Sequence, residues 1–105
     1  GAEYKLFRGA MRTLRTHRPM VVFECFRDWA RTFGTTAGMV HGLLADECGM
    51  GLWRPEAWLR GEPPLTAARF GRIFRNGLHQ NFIAAAAPNP HPVPAEFSPH
   101  RDPGR

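Results

Sequence analysis

The chain has 105 residues, which is enough for one small domain and too few for two. Its hydrophobic fraction of 43% is that of an ordinary globular protein, and no apolar run is long enough to cross a bilayer. The formal net charge of +5 would indicate a nucleic-acid partner only alongside a recognisable binding module, and the sequence contains none. We therefore expect no nucleic-acid or membrane partner and, since no signal peptide is visible, a cytoplasmic location.

The first 25 residues predict one amphipathic helix followed by one strand. At 100° per residue the apolar side chains share one face: Leu6, Phe7, Ala10, Met11 and Leu14. Basic side chains share the opposite face, and we interpret them as solvated: Lys5, Arg8, Arg12 and Arg15. Pro19 ends the helix because it lacks an N–H group. The apolar run from Met20 to Phe23, closed by Glu24, is typical of a parallel strand covered on both faces. Gly9 is predicted to pack closely where the helix crosses the sheet.

Polar and aromatic residues follow this strand. Ligands of open α/β sheets bind in the crevice outside the carboxyl ends of the strands. Phe26, Asp28 and Trp29 are therefore candidates for a substrate-binding wall. The alternative is a loop whose aromatic side chains fold back onto the core.

The rest of the chain predicts two further helices and two further strands. Thr35 or Thr36 caps a helix with a buried stripe, a short strand follows at Leu52 and Trp53, and residues 54–65 form an irregular excursion. Thr66 caps a third helix over 67–75, which ends at Asn76 and Gly77, two residues that tolerate the left-handed conformation. The buried stripe of the helix after Thr36 consists of Met39, Val40, Leu43 and Leu44. The last strand is predicted at residues 81–86.

The final segment is rich in proline and cannot build a core. We predict that residues 88–105 form a disordered or extended tail and that the folded part is 1–87. The two cysteines and the scattered histidines have no metal-ligand spacing, so we expect neither a metal site nor a disulfide.

The alternation of helices and strands predicts an α/β fold. A small sheet whose first strand is apolar would leave an unpaired hydrophobic edge. We therefore expect further strands before residue 1, so that this chain is the later half of a larger sheet.

Several segments together resemble one enzyme family, the FkbM-type S-adenosylmethionine-dependent methyltransferases. The likeness covers roughly residues 1–86, with one extra residue between Leu6 and Gly9, and the proline-rich tail lies outside it. The matching segments are Gly1-Ala2-Glu3, Leu6 to Ala10, Arg18 to Glu24, Phe33 to Thr36, Pro64 to Phe70, and Asn81 to Ala84.

This resemblance implies the C-terminal half of a Rossmann-like seven-stranded methyltransferase sheet, in which the last strand runs antiparallel between its neighbours. The N-terminal half, which would bind S-adenosylmethionine through a glycine-rich loop and an acidic residue, is absent. The implied function is part of an O-methyltransferase acting on a small-molecule or sugar hydroxyl, inactive as this fragment.

The resemblance also puts two carboxylates near the active site, Glu24 and Glu3, either of which could act as a general base. The alternative for Glu3 is stabilisation of the helix dipole. The alternative for Glu24 is a strand-end carboxylate hydrogen-bonded to a loop. A second hypothesis for the whole chain is a non-catalytic α/β piece that binds a partner or dimerises through its open edge.

Overall fold

A three-stranded sheet with the last strand in the middle organises the molecule. The computed structural model describes residues 3–26, 34–77 and 79–94. The strands are β1 (Val21–Phe26), β2 (Gly51–Trp53) and β3 (His79–Ala85). Their order is β1-β3-β2, and β3 is antiparallel to both neighbours. The predicted mixed α/β class is confirmed.

Two predictions for β1 are wrong. Its ladder with β3 is antiparallel, with Val21 opposite Ala84 and Phe26 opposite His79. It is not covered on both faces either, because 64% of Val22 is exposed. An apolar run reports a tendency to be buried, whereas strand direction depends on which distant segment lies alongside.

The two faces of the sheet carry separate hydrophobic clusters. On the inner face, Phe23, Leu52 and Phe82 pack against most of the helices. On the outer face, Trp53 and Ile83 form a smaller cluster with Ala85, Ala57 and Trp58. Because neighbouring side chains alternate between faces, β2 and β3 contribute to both clusters, whereas the described side chains of β1 contribute only to the inner one.

The predicted first helix is divided in two. Helix α1 spans Glu3–Gly9 and helix α2 spans Met11–His17, with Ala10 between them at φ −96° and ψ 12°. The amide of Ala10 still donates to the Leu6 carbonyl at 3.0 Å. The division follows Gly9, which has a low helix propensity because it lacks a side chain.

The two helices bury a narrower stripe than the periodicity predicted. Phe7 and Leu14 are buried, and the Phe7 ring meets the Phe23 ring edge-on at 5.1 Å between centroids. Leu6 is 68% exposed, so its predicted burial is wrong. The helix ends before Pro19, as predicted. The basic side chains of the opposite face are exposed, as predicted: Lys5, Arg8, Arg12 and Arg15.

The next helical segment changes its winding part-way. Helix α3 (Ala37–His41) continues into a π-helical segment, π1 (Gly42–Glu47). The Thr36 hydroxyl caps α3 by accepting a hydrogen bond from the Met39 amide at 3.2 Å, as predicted. The predicted stripe is buried at Val40, Leu43 and Leu44, whereas Met39 is exposed.

The excursion after β2 contains a short helix that the sequence analysis did not predict. Helix α4 (Pro55–Leu59) begins with a proline at its first position, where the missing N–H group costs nothing. It is the layer that covers the outer face of β2 and β3, through Ala57 and Trp58.

The last helix, α5 (Ala67–Asn76), begins as predicted and ends without a left-handed glycine. The Thr66 hydroxyl accepts a hydrogen bond from the Arg69 amide at 3.1 Å. Gly77, however, has φ −115° and ψ 141°, so it does not adopt the left-handed conformation that glycine tolerates. Glycine is favoured there because a side chain on Gly77 would overlap Gln80.

The start of the proline-rich segment makes specific contacts. The Val93 amide donates to the Leu59 carbonyl at 2.8 Å, and the Asn89 side-chain amide donates to the same oxygen at 3.0 Å. The Trp58 indole N–H donates to the Ala87 carbonyl at 3.1 Å. Residues 88–94 are therefore tied to α4, and residues 95–105 lie outside the described part of the chain.

Two glycines give opposite expectations for the same substitution. At Gly51 a β-carbon would lie 2.5 and 2.7 Å from Trp53 ring carbons and 3.0 Å from Pro64. The indole cannot easily move, because it is buried and donates to the Glu62 carbonyl at 2.7 Å. At Gly9 a β-carbon would meet nothing within 4 Å, so its predicted close packing is wrong.

We expect Gly51→Ala to lower the free energy of unfolding by about 1–3 kcal/mol, through overpacking. Gly9→Ala should leave it unchanged or raise it by up to about 1 kcal/mol, because alanine favours the helix. Urea denaturation followed by circular dichroism measures both. Equal effects of the two substitutions would contradict this packing of Trp53.

Candidate functional site

The candidate site is the end of the sheet at which β1 and β2 have their C-terminal residues, and this end is called the edge below. Because β3 is antiparallel, its first residues lie at the same edge, with Glu24 opposite Asn81. Helix α5 leads directly into β3 and ends at this edge. Polar side chains from both ends of the chain are therefore gathered here, which is where open α/β sheets bind their ligands.

Of the predicted site residues, Glu24 is the one whose side chain is described. It is exposed and belongs to the outer face, since it alternates with the inward-facing Phe23 and pairs with Asn81. The backbones of Glu3 and Phe26 belong to α1 and β1, and their side chains lie outside the described part. Asp28 and Trp29 lie outside the described residues.

Arg54 is a polar residue of this edge that the sequence analysis missed. It directly follows β2, its guanidinium donates to the Gln80 side-chain oxygen, and it lies 5.6 Å from the centroid of the Phe82 ring. The only local signal is an arginine between an apolar strand and a proline. Its neighbours come from β3, so no spacing in the sequence could reveal them.

The polar residues near Glu24 and those near Arg54 lie on opposite faces of the sheet. Glu24 and Asn81 lie on the outer face, whereas Gln80 and Phe82 lie on the inner face with Arg54 beside them. The backbones of β1 and β2 are roughly 10 Å apart, since each is one strand spacing from β3. A small ligand held by Glu24 is therefore not also held by Arg54 unless it reaches around the strand ends.

A cleft of about 390 Å³ opens beside β2, between α4 and α5. Its charged lining includes Arg54, Arg60 and Arg69 together with Glu56 and Glu62. Arg60 and Glu62 form an ion pair of 2.6 Å within it. The cleft adjoins the edge where β2 ends but does not include Glu24.

The described residues do not fit a site for the methyl donor. β2 leads into Arg54 and Pro55, and β3 leads into Ala86 and Ala87, so neither is followed by a glycine-rich turn that could hold a nucleotide. Within these same ranges, no three His, Cys, Asp or Glu side chains are placed to hold a metal ion. None of the described helices is long and apolar enough to cross a membrane.

Cys48 is an unreactive group in this arrangement. Its side chain is buried after π1. Burial raises the pKa of its thiol, and the neighbouring Glu47 carboxylate raises this pKa further. Arg15 lowers the pKa by a smaller amount. The thiolate, which is the nucleophilic form, is disfavoured, so Cys48 is a packing residue.

No family model, curated protein or solved structure matches this chain.

Proposed function

We propose that this chain is the C-terminal part of an S-adenosylmethionine-dependent O-methyltransferase that acts on a small-molecule or sugar hydroxyl. The observation that carries the proposal is the sheet order, with β3 antiparallel between β1 and β2. This is the arrangement that the resemblance to the FkbM-type family implies for the last strand. The proposal includes a cytoplasmic location and no nucleic-acid partner.

Glu24 is the proposed general base. Its side chain is exposed on β1, two residues before the strand ends, so a hydroxyl group can approach it. A carboxylate accepts the hydroxyl proton and leaves the oxygen more nucleophilic. The Asn81 amide, opposite Glu24 in the ladder, is available to orient either group. Glu3 keeps its proposed place near the same site, as a second carboxylate.

The proposal assigns substrate contacts to Phe26, the last residue of β1, and to Asp28 and Trp29, which follow it in the sequence. It assigns most donor contacts to polypeptide that precedes these 105 residues, because the described residues do not fit the donor. An upstream sequence with a strand, a glycine-rich turn and an acidic residue about 20 positions later would support this division.

Calorimetric titration with S-adenosylmethionine tests the proposal. The 105-residue chain should give no micromolar binding, whereas protein that also contains the preceding segment should bind the donor. Micromolar binding by the 105-residue chain alone would contradict the proposed location of the donor site. No binding by the longer protein would contradict the function.

The alternative function, dimerisation through an open edge, has one observation in its favour. In the described residues β1 pairs only with β3, and 64% of Val22 and 53% of Met20 are exposed beside its other edge. Sedimentation equilibrium distinguishes the two functions. A dimer that Val22→Lys dissociates would favour the alternative, and a monomer at all concentrations would exclude it.

A further inference from the structure

The cleft between α4 and α5 holds a half-buried arginine whose surroundings have no proposed role. Arg54 is partly buried, and Gln80 accepts one of its five N–H donors. The buried Phe82 ring supports the guanidinium from below. These contacts hold the planar group in one orientation, so a ligand that uses it loses little further side-chain freedom.

The side chain that accepts a hydrogen bond from Arg54 is Gln80, a neutral amide. A guanidinium removed from water in part, with a neutral amide as its hydrogen-bonding partner, favours an anion at its remaining donors. The cleft is the open space that Arg54 lines.

The charge of the lining selects the kind of anion. Three arginines and two glutamates line the cleft, which leaves a single net positive charge. Glu62 forms an ion pair with Arg60 at 2.6 Å, and Glu56 is the second carboxylate of the lining. These two carboxylates oppose a doubly charged phosphate more strongly than a singly charged carboxylate.

The remaining walls are apolar and the space is of ligand size. Leu65 and Ile73 line the cleft beside the charged groups. A volume of about 390 Å³ lies within the range of about 300–1,000 Å³ that small-molecule sites occupy. An organic acid with an apolar body therefore matches both parts of the lining.

From these observations we propose that the cleft binds a small monocarboxylic acid, with its carboxylate on Arg54 and its apolar part against Leu65 and Ile73. Arg69, exposed at the first turn of α5, is a second cation at the same opening. The inference does not rest on methyl transfer, because Glu24 is not part of this cleft.

Titration of the 105-residue chain with benzoate, followed by amide and indole NMR shifts, tests the proposal. We expect saturable shifts confined to the cleft, including the Trp53 indole N–H. Arg54→Gln should weaken binding at least about tenfold, and Arg54→Lys should also weaken it, because lysine keeps the charge without the bidentate fork. Phenyl phosphate should bind more weakly than benzoate.

Arg72→Gln is the matched control. Arg72 lies on the same helix as Arg69, is exposed, and does not line the cleft. Benzoate should bind this variant as it binds the unchanged chain. Thermal unfolding of each variant separates lost binding from lost folding.

Three results would overturn the proposal. They are unsaturable shifts with benzoate, equal binding by the folded Arg54→Gln variant, and tighter binding of phenyl phosphate. The benzoate titration does not depend on methyl transfer. Failure of this inference is therefore distinguishable from failure of the proposed function.

Discussion

Replacing Glu24 with glutamine is expected to lower kcat for methyl transfer by about 10²- to 10⁴-fold, which is the usual contribution of a general base. Glutamine has nearly the same shape as glutamate and can still donate and accept hydrogen bonds. It cannot take up the hydroxyl proton. Because the side chain is exposed, the substitution should leave the fold intact. The rate is measured with labelled donor on protein that includes the donor-binding segment.

Glu47→Gln is the control for this prediction. Glu47 is also an exposed glutamate, but it ends π1 at the opposite edge of the sheet, before β2 begins. Its pair with Arg8 is 3.4 Å long and solvent-exposed, so its loss costs less than about 1 kcal/mol. Full activity in the folded Glu24→Gln variant would contradict the role of Glu24. An equal loss of activity in both variants would show that the effect is not specific to Glu24.

Phe82→Ala should produce the largest loss of stability, about 3–5 kcal/mol in the free energy of unfolding. Phe82 is 0% exposed at the centre of the sheet. Its ring centroid lies 4.7 Å from that of Phe70 and 5.8 Å from that of Phe23. Truncation would remove these contacts and leave a cavity between β1, β3 and α5. A domain of this size has a total stability of about 5–15 kcal/mol, so much of it would be lost.

Val22→Ala is the comparison, since Val22 also lies in a strand of this sheet but is 64% exposed. Its effect should stay within about 0.5 kcal/mol. Chemical denaturation of both variants measures the difference. A loss below about 1 kcal/mol for Phe82→Ala would contradict the position of its ring in the core.

The parts of the fold that depend on neighbouring residues could be predicted from the sequence. The caps Thr36 and Thr66 are correct because a threonine hydroxyl satisfies amides two or three residues away. Val40, Leu43 and Leu44 are buried as the helical periodicity predicts, whereas Met39 of the same predicted stripe is exposed. The strands were also found, within one or two residues at their ends.

The parts that depend on distant partners could not be predicted. The direction of β1 is set by β3, and the close approach at Gly77 by the side chain of Gln80. Leu6 is exposed although local periodicity places it inside, because the sheet packs against Phe7 and Leu14 instead.

The candidate site also has a part that local sequence predicts and a part that depends on distant residues. The strand that carries Glu24 could be predicted, because it is a local pattern, although β1 continues two residues beyond the predicted end at Glu24. Its partner Asn81 and the whole environment of Arg54 could not, since each requires the register of β3.

The measurement that tests the central claim most directly is transfer of a labelled methyl group from S-adenosylmethionine to small hydroxyl compounds and sugars. The assay uses protein that contains these 105 residues and the segment before them. The proposed function predicts label bound to oxygen in the product, at a rate that depends on Glu24. Folded protein that binds the donor and transfers no label to any hydroxyl acceptor, or transfers it equally well without Glu24, would contradict it.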